Sequence, residues 1–197
     1  MMIRWLEKID QEILLFINGL NHPVIDEIAW FFSSKFGLIP FYLLILFFLF
    51  KDFSPKKVVI LMLGVAVTVA LTDQISVHLF KEFFLRYRPS HHNELSKLLH
   101  FYEPIQGQPY KGGQYGFVSS HAANFFGMFG FLYVVLSKRN WLRIGVFCLG
   151  LAVIWSRVYL GVHYPSDVVI GSFVGLTIGG AVWVIISPFL LKNESLN

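Results

Sequence analysis

The sequence predicts an all-α protein, a polytopic membrane bundle of about five to six transmembrane helices with an N-terminal amphipathic helix. Of its 197 residues, 55% are hydrophobic and only 14% are charged, too little polar material to cover a soluble globule of this size. Several apolar runs reach the roughly 20 residues needed to cross a hydrocarbon core. Charged residues gather in the connections between these runs. We therefore expect one membrane-embedded domain over residues 1–197.

The first expected element is the amphipathic helix, between residues 3 and 20. Its apolar residues recur mostly at intervals of three and four, at Ile3, Leu6, Ile9, Ile13, Leu14 and Ile17. Charged residues interrupt the apolar run, which argues against a cleavable secretion signal. The pattern predicts a helix that lies on the membrane instead of crossing it.

Five apolar runs then predict five spans, at about 30–50, 57–79, 117–136, 141–160 and 167–191. Pro40 is expected to kink the first span. The long connection from about 80 to 116 is rich in glycine and proline, which favours turns. It is a candidate lid or headgroup-binding loop.

Basic residues cluster in connections that share one side of the membrane if the chain has five spans: Lys51, Lys56 and Lys57, then Lys138, Arg139 and Arg143, and finally Lys192. The positive-inside rule makes that side cytoplasmic. The formal net charge of +4 is spread over these connections, so nucleic-acid binding has little support. Membrane lipids with anionic headgroups are the more natural partners.

A first polar cluster lies at the opposite end of the predicted spans. Lys81 and Arg88 stand seven positions apart, and Pro89 ends any helix there. At helical pitch both cationic heads reach one face near a membrane surface. The alternative is ordinary snorkelling of basic side chains at a span end, and this pair alone does not separate the two.

A second cluster, Ser119-Ser120-His121, follows the glycine-rich connection at the start of a predicted span. Hydroxyls and free backbone N–H groups at a helix N-terminus favour an anion. The imidazole of His121 can donate a proton to a departing alkoxide. The alternative is a serine cap beside an unrelated histidine.

The third cluster contains Ser156 and Arg157, then His163, and four residues later Asp167. A carboxylate one helical turn from an imidazole holds it in one tautomer and stabilises its cationic form, as a nucleophilic histidine requires. The alternative is a surface His–Asp contact beside an interfacial arginine. For Ser156 two roles stay open: a hydrogen bond to phosphate or to the surrounding chain.

In this order, the three clusters resemble the three motifs of the type 2 phosphatidic acid phosphatase superfamily, whose members share a helical core with vanadium-dependent haloperoxidases. The resemblance covers residues 81–167. Two positions depart from the usual pattern, since Val118 stands where proline is common and Ser120 where glycine is common. Ser120 keeps the backbone N–H that would contact phosphate and adds a hydroxyl.

The resemblance implies a role for each matching residue. Three cations would neutralise the phosphate: Lys81, Arg88 and Arg157. Ser119 and the Ser120 amide would complete its cradle. His163 would attack phosphorus to form a phosphohistidine, with Asp167 orienting it and His121 protonating the leaving group. No metal or other cofactor is implied, because the cations supply the charge that magnesium would bring.

The implied activity is hydrolysis of a lipid phosphate or diphosphate in a bacterial inner membrane, with the active site facing the periplasm or exterior. Undecaprenyl diphosphate ranks first as substrate, followed by phosphatidylglycerol phosphate, phosphatidate and the phosphates of lipid A. Substrate choice is expected to depend on the 90–116 loop and the grooves between spans. Two other readings are a vanadate-binding haloperoxidase and a non-enzymatic membrane transporter, which would place ionisable residues near span centres.

Overall fold

The computed structural model describes residues 2–34 and 36–191, which form helices and turns without a β-sheet. The all-α bundle predicted from the sequence is confirmed. The helices are α1 (Met2–Asn18), α2 (Pro23–Ser33), α3 (Ile39–Asp52), α4 (Pro55–Gln74), α5 (Glu82–Phe84), α6 (Ser120–Val135), α7 (Asn140–Tyr159) and α8 (Pro165–Leu191). A π-helical segment, Ile75–Lys81, joins α4 to α5, so this helix continues further than the sequence indicated.

Within the described part of the chain, four helical segments are long and apolar enough to cross a membrane: Pro55–Phe84, Ser120–Lys138, Asn140–Tyr159 and Pro165–Leu190. They correspond to the last four predicted spans. Large apolar side chains such as Leu63, Ile144 and Ile185 remain exposed on their outer surfaces. Such an apolar exterior is what a bilayer solvates.

The first predicted span, 30–50, is not one kinked helix, and that expectation is wrong. The chain breaks between α2 and α3, where the Gly37 N–H donates to Ser34 Oγ at 3.1 Å. A Cβ on Gly37 would lie 1.9 Å from the Phe31 carbonyl oxygen, so this tight turn needs glycine. Pro40 lies in the first turn of α3, where proline starts a helix without removing a hydrogen bond.

Helices α6 and α8 pack with their backbones almost in contact. Glycines recur every fourth residue on α8 and face small residues on α6. A Cβ on Gly175 would lie 2.2 Å from the Ala123 carbonyl oxygen, and one on Gly179 would lie 2.0 Å from that of Gly127. Small residues at this spacing allow close helix packing inside a membrane, where burial of apolar surface gives little driving force. The N-terminal ends of the two helices are thereby held side by side.

Helix α1 is present as predicted, but the side that packs on the bundle is partly polar. Asp10, Leu14 and Asn18 are buried at four-residue spacing, while Trp5 and Phe16 are exposed. The Asn18 side chain donates to backbone carbonyls of α7 and of the long connection, at 2.7 and 2.8 Å. These bonds, together with Asp10, fix α1 against the end of the bundle that carries the polar clusters.

The two described basic connections lie at the same end of the bundle. Arg139 donates from Nε and Nη2 to the two carboxylate oxygens of Asp52, each at 2.6 Å, which joins the α6–α7 turn to the end of α3. Lys192, the third basic position used for the orientation, lies outside the described residues. The polar clusters belong to the opposite end, where α4–α5 and α7 finish and α6 and α8 begin.

Candidate active site

The structure brings the three sequence-predicted clusters together. The Ser119 N–H donates to the Asp167 carbonyl oxygen at 3.0 Å, which links the second and third clusters. Lys81 Nζ donates to Ser120 Oγ at 2.6 Å, which links the first and second. All of these groups lie at helix ends on one side, unlike the mid-span ionisable residues expected of a transporter.

Four buried polar atoms at this site have no hydrogen-bond partner among the described residues: Arg88 Nη1, Ser119 Oγ, Arg157 Nε and His163 Nε2. Buried polar atoms are nearly always paired, so each needs an explanation. They come from all three clusters and include two cations. An oxyanion placed here would accept hydrogen bonds from Arg88, Arg157 and Ser119, and its central atom would face Nε2 of His163. We call this set of four atoms the anion site.

The N-terminus of α6 supplies the backbone part of this site. Ser119 is fully buried and makes no side-chain capping bond, so the alternative of an ordinary serine cap is not what the structure contains. The first N–H groups of the helix lack intrahelical partners and attract anions. The Ser120 hydroxyl fixes the Lys81 ammonium, which gives the departure from glycine a structural role.

Arg157 is almost completely buried and held by neutral partners. Its Nη1 donates to Ser33 Oγ of α2, and its Nη2 donates to the Tyr110 hydroxyl of the long connection at 3.0 Å. Arg88 donates from Nε to the Tyr115 carbonyl oxygen at 3.1 Å. Burial and then the charge of Arg157 lower the pKa of Arg88 to about 10. Bringing a negatively charged ligand between the two arginines would relieve this repulsion.

His163 is fully buried, and its Nδ1 lies 3.4 Å from Asp167 Oδ2, at the long end for a hydrogen bond. The same carboxylate oxygen accepts the Tyr164 N–H at 3.0 Å. Burial, followed by the charges of Arg88 and Arg157, holds the pKa of His163 well below its usual value. The imidazole is therefore neutral near pH 7, with the lone pair of Nε2 open to the anion site.

Sequence reasoning missed Asp10 and Arg86, which support Asp167. Arg86 donates from Nη1 to Asp167 Oδ1 and from Nη2 to Asp10 Oδ2, both at 2.8 Å. A signal was present in the sequence, since Asp10 is four residues from both Leu6 and Leu14 and so interrupts the apolar stripe of α1. A carboxylate on such a stripe indicates a buried polar partner.

Ser156, for which two roles were open, bonds the chain. Its hydroxyl donates to the Val153 carbonyl oxygen of α7 at 2.7 Å. This donor is therefore occupied by the helix backbone.

A cavity of about 540 Å³ adjoins the anion site between α3, α4, α6 and α7. Most of its lining is apolar, and its polar side chains include Asp73 and Asn124 as well as Ser120 and His121. Asn124 accepts the Thr72 hydroxyl through its Oδ1 at 2.6 Å. Among residues 2–34 and 36–191, no group of three or more His, Cys, Asp or Glu side chains is arranged to hold a metal ion.

Comparisons with known proteins point to one family. The family model of the PAP2 superfamily matches residues 57–190. The chain is 32% identical over 183 residues to the lipid A 4'-phosphatase of Porphyromonas gingivalis, covering 92% of this chain and 74% of the relative. It is 35% identical over 175 residues to the lipid A 4'-phosphatase of Bacteroides thetaiotaomicron, covering 88% of this chain and 75% of the relative.

Two solved structures share the fold. The crystal structure of Aquifex aeolicus LpxE superposes with a TM-score of 0.60 at 23% identity, covering 87% of this chain and 92% of that one. The PAP2-type phosphatidylglycerolphosphate phosphatase of Bacillus subtilis also gives a TM-score of 0.60, at 19% identity over 98% of this chain and 88% of that one. With the family model and two close relatives in agreement, the chain belongs to the PAP2 superfamily and is an integral membrane lipid phosphatase.

Proposed function

We propose that this enzyme removes a phosphate group from lipid A through a phosphohistidine at His163. The two curated relatives are lipid A 4'-phosphatases, which favours the last-ranked substrate of the sequence analysis over undecaprenyl diphosphate. The observation that carries the chemistry is the set of four unpartnered buried atoms, because they are suited to one tetrahedral oxyanion held against a neutral imidazole.

Three cations bind the phosphoryl group in this proposal: Lys81, Arg88 and Arg157. Arg157 presents Nε because its other two nitrogens are occupied by Ser33 and Tyr110. Arg88 presents Nη1, and Ser119 contributes Oγ. The free N–H groups of α6 add dipoles that strengthen as negative charge develops on the equatorial oxygens.

The reaction proceeds in two displacements. The Nε2 lone pair of His163 attacks phosphorus, and the ester P–O bond breaks as His121 gives its proton to the leaving oxygen. His121, now neutral, removes a proton from water. The resulting hydroxide attacks the phosphohistidine, the P–N bond breaks, and phosphate and neutral His163 are released. Asp167, beside Nδ1, stabilises the positive charge that the imidazole carries while it is bonded to phosphorus.

The cavity beside the phosphate site supports a sugar-containing lipid. Asp73 can accept hydroxyl hydrogens, and the Asn124 amide can donate because its oxygen is already bonded to Thr72. A polyprenyl chain has no groups that would use these two side chains. The mixed lining therefore fits an acylated sugar phosphate better than a plain isoprenoid.

We also propose that the active site faces the periplasm of the bacterial inner membrane. Support comes from the Arg139–Asp52 ion pair, which places two basic connections at the end of the bundle away from the site. Basic connections remain preferentially in the cytoplasm.

The test is phosphate release from a panel of purified lipids in detergent: lipid A, undecaprenyl diphosphate, phosphatidylglycerol phosphate and phosphatidate. We expect the highest kcat/KM with lipid A and no turnover by His163→Ala. Mass spectrometry of the product should show loss of one phosphate, and NMR should identify the 4' position. A higher kcat/KM with undecaprenyl diphosphate would overturn the substrate assignment.

A further inference from the structure

A chain of charged side chains, buried at both ends, runs from α1 to the candidate nucleophile. The Arg86 guanidinium lies between two carboxylates, with 2.8 Å hydrogen bonds to Asp10 Oδ2 and to Asp167 Oδ1. It also stacks on the Tyr164 ring, 4.1 Å from the ring centroid. Asp10 is 6% exposed and Asp167 is 0% exposed, whereas the Arg86 side chain between them is 25% exposed, so solvent screens the two carboxylates poorly and the guanidinium more. Its far end is the Asp167 oxygen that faces His163.

Asp10 also fixes the backbone at the start of α8. Its Oδ1 accepts the Ser166 N–H at 2.9 Å, and its Oδ2 accepts the Ser166 hydroxyl. Ser166 directly precedes Asp167 and itself accepts a hydrogen bond from Arg86 at 2.8 Å. One carboxylate of α1 therefore holds both the backbone that carries Asp167 and the guanidinium that bonds it.

The charge balance gives Asp10 a second effect. If Arg86 faced Asp167 alone, its positive charge would offset the carboxylate and weaken its attraction for an imidazole that becomes cationic. Because Asp10 shares the guanidinium, the three groups together keep one net negative charge. In a buried site such a difference acts strongly on a nearby developing charge.

We propose that Asp10 is a positioning residue for phosphoryl transfer: through Arg86 it holds Asp167 in place and keeps it an effective negative partner for His163. This inference rests on the proposed phosphohistidine mechanism. Helix α1, which the sequence assigns only to the membrane surface, is then part of the catalytic arrangement.

The test compares Asp10→Asn with Asn18→Ala. Asp10→Asn keeps the side-chain size and removes the charge. Asn18→Ala removes three hydrogen bonds that dock the same helix, two turns further on, without touching Arg86. We expect Asp10→Asn to lower kcat about tenfold or more, as for one lost charge-assisted hydrogen bond, with KM nearly unchanged. Asn18→Ala should keep kcat close to wild type.

A double-mutant cycle separates the charge chain from simple docking of α1. Once Arg86→Gln has broken the chain, adding Asp10→Asn should lower kcat little further. Independent, additive losses would overturn the inference, and so would an equal loss of kcat in Asp10→Asn and Asn18→Ala. The latter result would mean that Asp10 only anchors the helix.

Vanadate binding, followed by titration calorimetry, supplies a readout that needs His163 but no lipid. We expect Asp10→Asn to weaken vanadate binding about tenfold and Asn18→Ala to leave it unchanged. If that pattern appears while the wild-type enzyme releases phosphate from no lipid of the panel, the proposed function fails and the positioning role stands. If the wild type is active and Asp10→Asn matches it in kcat and vanadate affinity, the positioning role fails and the function stands.

Discussion

Replacing Gly175 with alanine tests whether the close packing of α6 on α8 sets the active-site geometry. The new Cβ would lie 2.2 Å from the Ala123 carbonyl oxygen and 2.8 Å from the Gly127 nitrogen. Ordinary contact between nonbonded heavy atoms is about 3.5 Å, so the helices must separate by roughly 1 Å. Overpacking of this kind costs about 1–3 kcal/mol. A displacement of about 1 Å between groups that must act together can lower the rate about 100-fold.

The matched control is Gly180→Ala on the same helix, where a Cβ meets no atom within 4 Å. That change gains about 1 kcal/mol of helix propensity and creates no clash. We expect Gly175→Ala to lower both the melting temperature in detergent and kcat/KM, and Gly180→Ala to keep activity with an equal or higher melting temperature. Equal melting temperatures and equal activities in the two variants would refute the proposed dependence of the site on this contact.

Three further predictions concern chemistry and topology. Activity should survive EDTA and be inhibited by vanadate, and Arg157→Ala should lower kcat by about 100-fold or more and weaken that inhibition; rescue by magnesium after EDTA would contradict this. Protonation of His163 removes the nucleophile, and its pKa is lowered, so kcat/KM should fall only below about pH 6.5; an acid limb at higher pH would contradict the assignment. In a Cys148→Ser background, a cysteine at Lys56 should be labelled from the cytoplasm. A cysteine at Gly113, next to Gly112, where a Cβ meets no atom within 4 Å, should be labelled from outside, and the reverse pattern would contradict the orientation.

The sequence predicted the long helices and the motif residues because both depend on local patterns. Apolar runs of sufficient length must be helical in a bilayer, since every backbone polar group needs a partner inside the chain. The three polar clusters stand at the ends of those apolar runs. Because successive spans cross the membrane in opposite directions, the three clusters fall at the same end of the bundle. The break between α2 and α3 was missed, because a hydropathy profile averaged over a whole span hides the short polar stretch Ser33-Ser34-Lys35 that interrupts the apolar run there. It depends on how closely Gly37 approaches the Phe31 carbonyl, which a composition profile does not report.

The supporting residues were missed for a related reason, namely sequence separation. Arg86 bonds Asp10 across 76 positions, and Ser166 bonds Asp10 across 156. No periodicity connects such distant residues, and each alone resembles an ordinary charge at an interface. Only the position of Asp10 on the apolar stripe of α1 pointed to a buried partner.

The arrangement also separates catalysis from substrate choice. The four unpartnered atoms of the anion site are suited to the phosphoryl group alone, which every lipid phosphate presents in the same form. Asp73 and Asn124 line the adjoining cavity, where lipids differ. A substitution in the anion site should therefore lower kcat/KM for all substrates in similar proportion, because it acts on the phosphoryl charge that every transition state shares. A change in the cavity should alter the ratio between substrates, because an unpaired polar group penalises one lipid more than another. Related enzymes can thus share the same anion site and differ in the lipid substrate they prefer by exchanging a few side chains of the cavity.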